Sequence, residues 1–145
     1  MFTTILAACD GSEHSRRALD KAVELARLSG ASLLILTVYR HHAMTEASLS
    51  MIHGQKHATP DAALRENASE IADAARKIAA EAGLSGVRAF VRSGQPARAI
   101  VEFAGKHEVD LIVLGSRGTG SIDGFFLGSV SHKVTGLATC PVLVV

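Results

Sequence analysis

Three short apolar runs restrict the folds open to this chain more than any other feature of its sequence. They occupy residues 4–9, 31–39 and 111–114, and apolar residues fill almost every position in them. A strand that is apolar on both faces needs cover on both faces, which a parallel sheet with helices on either side provides. The runs therefore predict an α/β protein whose main strands are buried between two layers of helices.

Helical patterns separate these strands. Ser12 suits the N-cap of a first helix, which would end at Gly30. Thr59 and Pro60 suit the start of a second helix, and Pro96 suits the start of a third. Apolar residues recur at intervals of three and four between these signals. The repeats are Ala18, Leu19, Ala22, Val23 and Ala26 in the first helix, and Leu64, Ala68, Ile71, Ala75, Ile78 and Ala82 in the second, which would end at Gly83.

Two further strands have a different character. Residues 87–94 alternate imperfectly between apolar and basic, as in a half-exposed edge strand, and residues 142–145 form a short apolar strand after Pro141. Strands and helices then alternate along the whole chain. This alternation is typical of a doubly wound five-stranded parallel sheet with helices on both faces. We expect the third and fifth strands at its edges.

Composition agrees with a single domain over residues 1–145. Apolar residues make up 48% and aromatic residues only 4%, so Ala, Leu, Ile and Val must build the core. The net charge of +1, without a basic run, argues against nucleic-acid binding. No run has membrane-spanning length and no signal-peptide pattern is present, so we expect a cytoplasmic protein with no membrane partner. Cys9 and Cys140 are predicted too far apart to pair, and therefore reduced.

The stretch from residue 111 to residue 131 combines a buried strand, a glycine-rich loop and a helix start. Glycines let the backbone approach an anion, and the amide groups and dipole of a helix N-terminus favour negative charge. The spacing is Gly115, two residues, Gly118, nine residues, then Gly128 and Ser129. No lysine follows the last glycine and the pattern is not GxGxxG, so this is neither a P-loop nor a dinucleotide fingerprint. The loop predicts phosphate binding; the alternative is a flexible connection.

Asp10 and Val38 come at the ends of the first two strands. Both are expected at the carboxyl edge of the sheet, where open α/β sheets bind their ligands. The residues alone leave two interpretations of Asp10 open. It could contact a ligand, or it could only cap the turn that begins the first helix.

Residues 40–59 have no clear period and contain four of the seven histidines. His53 and His57 would share one face of a helix and could bind a metal, but no cysteine or carboxylate pair completes a metal shell. A solvated variable loop is therefore favoured. By position alone, the loop could act as a lid over the carboxyl edge.

These features together resemble the universal stress protein family, in its ATP-binding branch. The likeness covers essentially the whole chain, including ILAACDGSEHSRRAL at the start, VRSGQPARAI, DLIVLGSRGTG and CPVLVV. It implies the strand order 3-2-1-4-5 of the Rossmann-like, adenine nucleotide alpha hydrolase-like fold. The first and fourth strands would then be neighbours at a switch point that holds the nucleotide.

The resemblance also implies the binding residues. Asp10 would contact the base, Val38 would do so through its backbone, and the glycine loop would take ribose and phosphates. Asp123 departs from expectation, since a carboxylate there would repel phosphate unless Mg²⁺ or Mn²⁺ bridges the two; Arg117 could offset its charge or be solvated. The implied set is Ala8, Asp10, Val38, Gly115, Arg117, Gly118, Gly128, Ser129 and Val130.

The implied function is that of a regulatory switch rather than an enzyme. ATP would hold the loop in one state, a protein partner would read that state in a stress response, and any hydrolysis would be slow. The resemblance also implies a homodimer paired through Val142–Val145, and a bare apolar edge strand gives this a physical basis. The alternative is a dimeric interaction module of the same fold without nucleotide. An enzyme of another doubly wound family is disfavoured, because no nucleophile elbow or metal cluster is visible.

Overall fold

A computed structural model describes residues 1–41, 60–117 and 127–145. Five strands and four helices occur in these ranges, and they alternate along the chain. The elements are β1 (Thr4–Ala8), α1 (Glu13–Ser29), β2 (Ser32–Tyr39), α2 (Pro60–Glu81), β3 (Arg88–Ser93), α3 (Pro96–Lys106), β4 (Leu111–Leu114), α4 (Ser129–Leu137) and β5 (Val142–Val144).

The strands form one parallel sheet in the order β3-β2-β1-β4-β5. Helices α1 and α2 cover one face, and α3 and α4 cover the other. The predicted doubly wound α/β fold and its strand order are therefore confirmed. Because β1 and β4 are neighbours, the segments that follow them leave the sheet side by side, as at the switch point of an open α/β sheet.

Alternate residues of the central strands enter two separate core layers. In β1, Ile5 and Ala7 pack beneath α1 and α2, whereas Leu6 packs beneath α3 and α4. All three side chains are fully buried. Since side chains point to opposite faces of a strand in turn, a strand with two covered faces must be apolar at every position. The burial of both strand faces therefore explains the continuous apolar runs in the sequence.

The two outer strands carry the edge character that the sequence predicts. Arg88 and Arg92 of β3 are exposed, and the Arg92 guanidinium lies 5.6 Å from the centroid of the Phe90 ring. All three residues of β5 are only half-buried. Basic side chains on β3 discourage pairing with another strand, whereas β5 has no such protection.

Helix α2 packs through a face that overlaps the predicted one, because Ala68 and Ala75 are buried as expected, but the face is shifted around the helix. Its buried residues are all alanines, and the larger Ile71 and Ile78 lie at the margins of the contact. Small side chains allow a helix to lie close to a sheet, with bulkier residues flanking the contact line. The apolar repeat was therefore detected correctly but centred on the wrong residues, and the predicted cap at Thr59 lies outside the described residues. The buried set is Ala68, Ala72, Ala75 and Ala79.

Asp110 ties the start of β1 to the start of β4 at the amino edge of the sheet. Its carboxylate accepts hydrogen bonds from the amides of Thr3 at 2.8 Å and Thr4 at 3.0 Å, and from the Thr3 hydroxyl at 3.1 Å. Burial alone would raise the pKa of this carboxyl, but the bonds from Thr3 and Thr4 outweigh it and hold the pKa below its usual value.

We expect Asp110→Asn to remove part of the acid sensitivity of the fold. The pKa of Asp110 is lower in the folded chain than in the unfolded one. Its stabilisation is therefore fully present above the unfolded pKa, about 4, and is lost as pH falls through the folded pKa. Urea unfolding at a series of pH values should show the variant less stable than the unmodified protein at neutral pH, with the difference shrinking below about pH 4.

Asp20→Asn is the matched control for this experiment. Asp20 lies on the exposed face of α1, where its carboxylate pairs with Arg16 at 3.3 Å. Exposed pairs of this kind contribute little to stability. A constant stability difference for Asp110→Asn across the acid range would contradict the assignment.

Candidate functional site

The carboxyl edge of the sheet gathers the predicted binding residues of the described ranges. Asp10 follows β1, Val38 lies near the end of β2, and Gly115 directly follows β4. The amide of Cys9 donates to the carbonyl of Leu36 at 2.9 Å, which fixes the end of β1 against β2. The predicted residues placed at this edge are Ala8, Asp10, Val38, Gly115, Arg117, Gly128, Ser129 and Val130.

The other predicted positions lie outside the described residues. These are Gly118 and Asp123 in the glycine loop, and His53 and His57 in the segment considered as a lid or a metal site. Their roles stay predictions.

Apolar surface remains at this edge beside the polar groups. Ala8, Val38 and Val130 come from three different elements, and all three pack against the core layer beneath α3 and α4. Each is only partly buried. They could support a flat apolar group such as an aromatic base.

The Asp10 carboxylate stabilises the turn before α1 through one oxygen, and its other oxygen is available to accept a hydrogen bond from a ligand. Its Oδ1 atom accepts from the Ser12 amide at 2.9 Å and from the Ser12 hydroxyl at 2.5 Å. The Ser12 hydroxyl in turn accepts from the Ser15 amide at 3.2 Å, as the N-cap of α1. No hydrogen bond reaches Oδ2 from the described parts of the chain. The two interpretations of Asp10 are therefore compatible, since turn formation occupies half of the carboxylate.

Gly115 has a packing role that sequence reasoning missed. A Cβ atom at this position would lie 2.7 Å from the carbonyl carbon of His14 and 2.9 Å from its oxygen. These are backbone atoms in the first turn of α1, and they cannot move without moving the helix. Only glycine therefore lets α1 begin this close to the end of β4. A phosphate contact at Gly115 stays a prediction.

The N-terminus of α4 is free of side-chain capping. Gly128 is its N-cap, with extended backbone geometry, and it has no side chain that could accept from the first amide groups. Ser129, the first helical residue, is exposed. The first amides of a helix lack partners within the helix and carry the positive end of its dipole. An anion is the natural partner for such an end.

Backbone hydrogen bonds close the glycine loop where it starts and ends. The Gly128 amide donates to the Ser116 carbonyl at 2.6 Å, and the Ser116 amide donates to the Val145 carbonyl at 2.8 Å. We call the pair Ser116 and Gly128 the loop base. Ser131, which sequence reasoning also missed, donates its hydroxyl to the carbonyls of both residues. The available signal was a serine that lies between Val130 and Val134, two of the few apolar residues of this helix.

Two polar groups beneath this edge face α1 and α2. Burial first, and then the nearby charge of Asp10, raise the pKa of the Cys9 thiol to about 12. The thiol therefore stays protonated at neutral pH and is a poor nucleophile. The neighbouring Thr37 hydroxyl is buried, without a partner in the described ranges. Both cysteines are free thiols, as the sequence predicts.

The described site combines amide donors for an anion, one free carboxylate oxygen and a small apolar surface. Such a set suits a ligand with a negative group, a hydrogen-bond donor and a flat apolar part. Across residues 1–41, 60–117 and 127–145, no group of three His, Cys, Asp or Glu side chains is placed to hold a metal ion. Within the same ranges, no helix has both the length and the apolar character needed to cross a membrane.

Several known proteins that resemble this chain in sequence or in fold are universal stress proteins. Universal stress protein YxiE of Bacillus subtilis (strain 168) is 40% identical over 148 residues, which cover 100% of this chain and 99% of that protein. Universal stress protein UspA from Lactobacillus plantarum superposes with a TM-score of 0.80 at 28% identity, covering 99% of this chain and 97% of that structure. A universal stress protein solved in complex with cAMP has a TM-score of 0.65 at 31% identity, with the same coverage.

The match to the family extends over the full sequence. The model of the universal stress protein family aligns with residues 1–145. Sequence identity and fold point the same way. The chain belongs to the universal stress protein family.

Proposed function

We propose that this protein binds an adenine nucleotide, ATP, at the carboxyl edge of its sheet. The observation that carries the proposal is the uncapped N-terminus of α4, held at the loop base beside the ends of β1 and β4. Phosphates would meet the first amides of α4 and the Ser129 hydroxyl. The free oxygen of Asp10 and the apolar surface around Val38 and Val130 would meet the base.

A related solved structure supports the ligand class. The universal stress protein determined with cAMP shares 31% of its sequence with this chain and almost its full length. An adenine nucleotide is therefore a ligand that this family and fold can hold. The choice of ATP rests on the glycine spacing, which resembles that of the ATP-binding branch of the family. Gly118, Arg117 and a Mg²⁺ or Mn²⁺ ion would complete the phosphate contacts.

The first test asks what the purified protein carries. We expect denaturation to release ATP, identified and quantified by chromatography, at close to one molecule per chain if binding is tight. Where none is released, calorimetric titration with ATP, AMP and cAMP should reveal weaker, exchangeable binding. An absence of binding to all three would contradict the proposal and favour a dimeric interaction module without nucleotide.

We expect Ser129→Ala to weaken ATP binding by about tenfold without unfolding the protein, because it removes one hydroxyl donor to the phosphates. Calorimetry measures the affinity, and circular dichroism checks the fold. Ser32→Ala is the matched control, because Ser32 is an exposed serine at the start of β2, at the amino edge of the sheet. Equal affinity in a folded Ser129→Ala protein would remove Ser129 from the site.

We further propose that the protein works as a nucleotide-dependent regulatory homodimer in the cytoplasm. The half-exposed outer strand β5, together with Val145, supports pairing with a second copy. A protein partner would read the nucleotide state, and any ATP hydrolysis would be slow. Light scattering of the purified protein tests the dimer, and the rate of ADP formation tests the expectation that the protein is not an enzyme.

A further inference from the structure

Ser131 is a buried hydroxyl that the proposed nucleotide contacts do not use. Its side chain is 2% exposed and lies in the first turn of α4. The Oγ atom is 2.9 Å from the Ser116 carbonyl and 3.0 Å from the Gly128 carbonyl. The second contact is the usual local bond of a serine to the carbonyl three residues earlier. The first crosses from α4 to the other side of the glycine loop.

The carbonyl of Ser116 is therefore held from two directions. The Gly128 amide reaches it from the end of the loop, and the Ser131 hydroxyl reaches it from inside the helix. The Ser116 amide is fixed as well, by the carbonyl of Val145. No side chain caps α4, so Ser131 is the side chain that links the helix start to the loop base in the described ranges.

We infer that Ser131 is a positioning residue for nucleotide binding. It is too buried to touch the nucleotide, but it fixes the distance and direction between Ser116 and Gly128. That geometry determines where the first amides of α4 and the Ser129 hydroxyl point. Binding sites depend on donors that are already oriented, because ordering them on binding costs free energy. This inference rests on the proposed function, since it concerns the same site.

Three variants test the inference by calorimetric titration with ATP. We expect Ser131→Ala to bind about tenfold more weakly, the effect of losing one hydrogen-bonding hydroxyl, and Ser131→Thr to recover most of the affinity. Thr135→Ala should bind normally. Thr135 is the matched control because its hydroxyl makes the same local bond within α4, to the His132 carbonyl at 2.8 Å, without reaching the loop base.

Amide hydrogen exchange of Gly128 provides an independent readout in the protein without nucleotide. We expect faster exchange in Ser131→Ala than in the unmodified protein or Thr135→Ala. The Ser116 carbonyl would no longer be held by the Ser131 hydroxyl, so its hydrogen bond from the Gly128 amide should open more often. This measurement also keeps the inference testable if Ser131→Thr is too large for the buried position.

The outcomes separate the two proposals. Normal ATP affinity in Ser131→Ala, or unchanged exchange at Gly128, would overturn the positioning role and leave the nucleotide site intact. Failure of the unmodified protein to bind any adenine nucleotide would overturn the proposed function itself, and the positioning role with it. Weaker binding with faster exchange, restored by threonine, supports the inference.

Discussion

Replacing Gly115 with alanine should destabilise the fold by about 1–3 kcal/mol, the usual cost of forcing extra atoms into a packed region. The new Cβ atom would lie 2.7 Å from the His14 carbonyl carbon and 2.8 Å from its Cβ atom. Relief requires α1 to move away from β4, because backbone atoms form most of the contact. Urea denaturation measures the loss, and ATP titration should show weaker binding, since α1 carries the turn that Asp10 organises.

Gly136→Ala is the control for this prediction. Gly136 lies within α4, and a Cβ atom there would meet nothing within 4 Å. Alanine is favoured over glycine in a helix by up to about 1 kcal/mol, so this variant should be at least as stable as the unmodified protein. If both variants were equally stable, the close approach of α1 to Gly115 would be wrong.

Replacing Asp10 with asparagine should weaken ATP binding by about 10- to 100-fold while leaving the fold intact. The estimate follows from the roughly 1.5–3 kcal/mol that a hydrogen bond to a charged group contributes. The asparagine oxygen can still accept from the Ser12 amide, as Oδ1 does now. Its amide nitrogen would replace the free oxygen, and a donor cannot accept a hydrogen bond from the nucleotide.

Asp10→Ala distinguishes the two roles of this residue. It removes both oxygens, so it should lose stability as well as affinity, because the Ser12 amide would lose its partner. Asp20→Asn, on the exposed face of α1, should change neither property. Normal ATP affinity in Asp10→Asn would leave Asp10 as a turn residue only.

The fold was predictable because the apolar runs leave few alternatives. Ile5, Leu6 and Ala7 could not all be buried unless both faces of β1 were covered, which requires helices on both sides. The face of α2 was harder to predict. Hydrophobicity favours Ile71 and Ile78 over alanines, whereas the close approach of helix and sheet favours the alanines. The periodicity of apolar residues indicates that a helix has a buried face. Which residues lie at the centre of that face depends on how closely the helix approaches the sheet.

The site was predictable in position and less so in detail. Strand ends placed Asp10, Val38 and Gly115 at one edge, because parallel strands share a carboxyl edge. The packing of Gly115 against His14 and the bond from Ser131 to the Ser116 carbonyl could not be predicted. Both join separate segments of the chain, and no local pattern encodes them. Gly115 was therefore interpreted only as a close approach to phosphate, although a neighbouring helix also requires its missing side chain.

The bonds of Val145 connect the proposed dimer strand to the proposed nucleotide loop. Its amide donates to the Leu114 carbonyl at 3.0 Å, and its carbonyl accepts from the Ser116 amide at 2.8 Å. A shift of this residue would therefore displace both the end of β4 and the loop base. Where two binding events share such a unit, their coupling free energy is the same from either side. If nucleotide strengthens pairing between two copies, pairing strengthens nucleotide binding by the same factor, so each copy would sense the occupancy of the other.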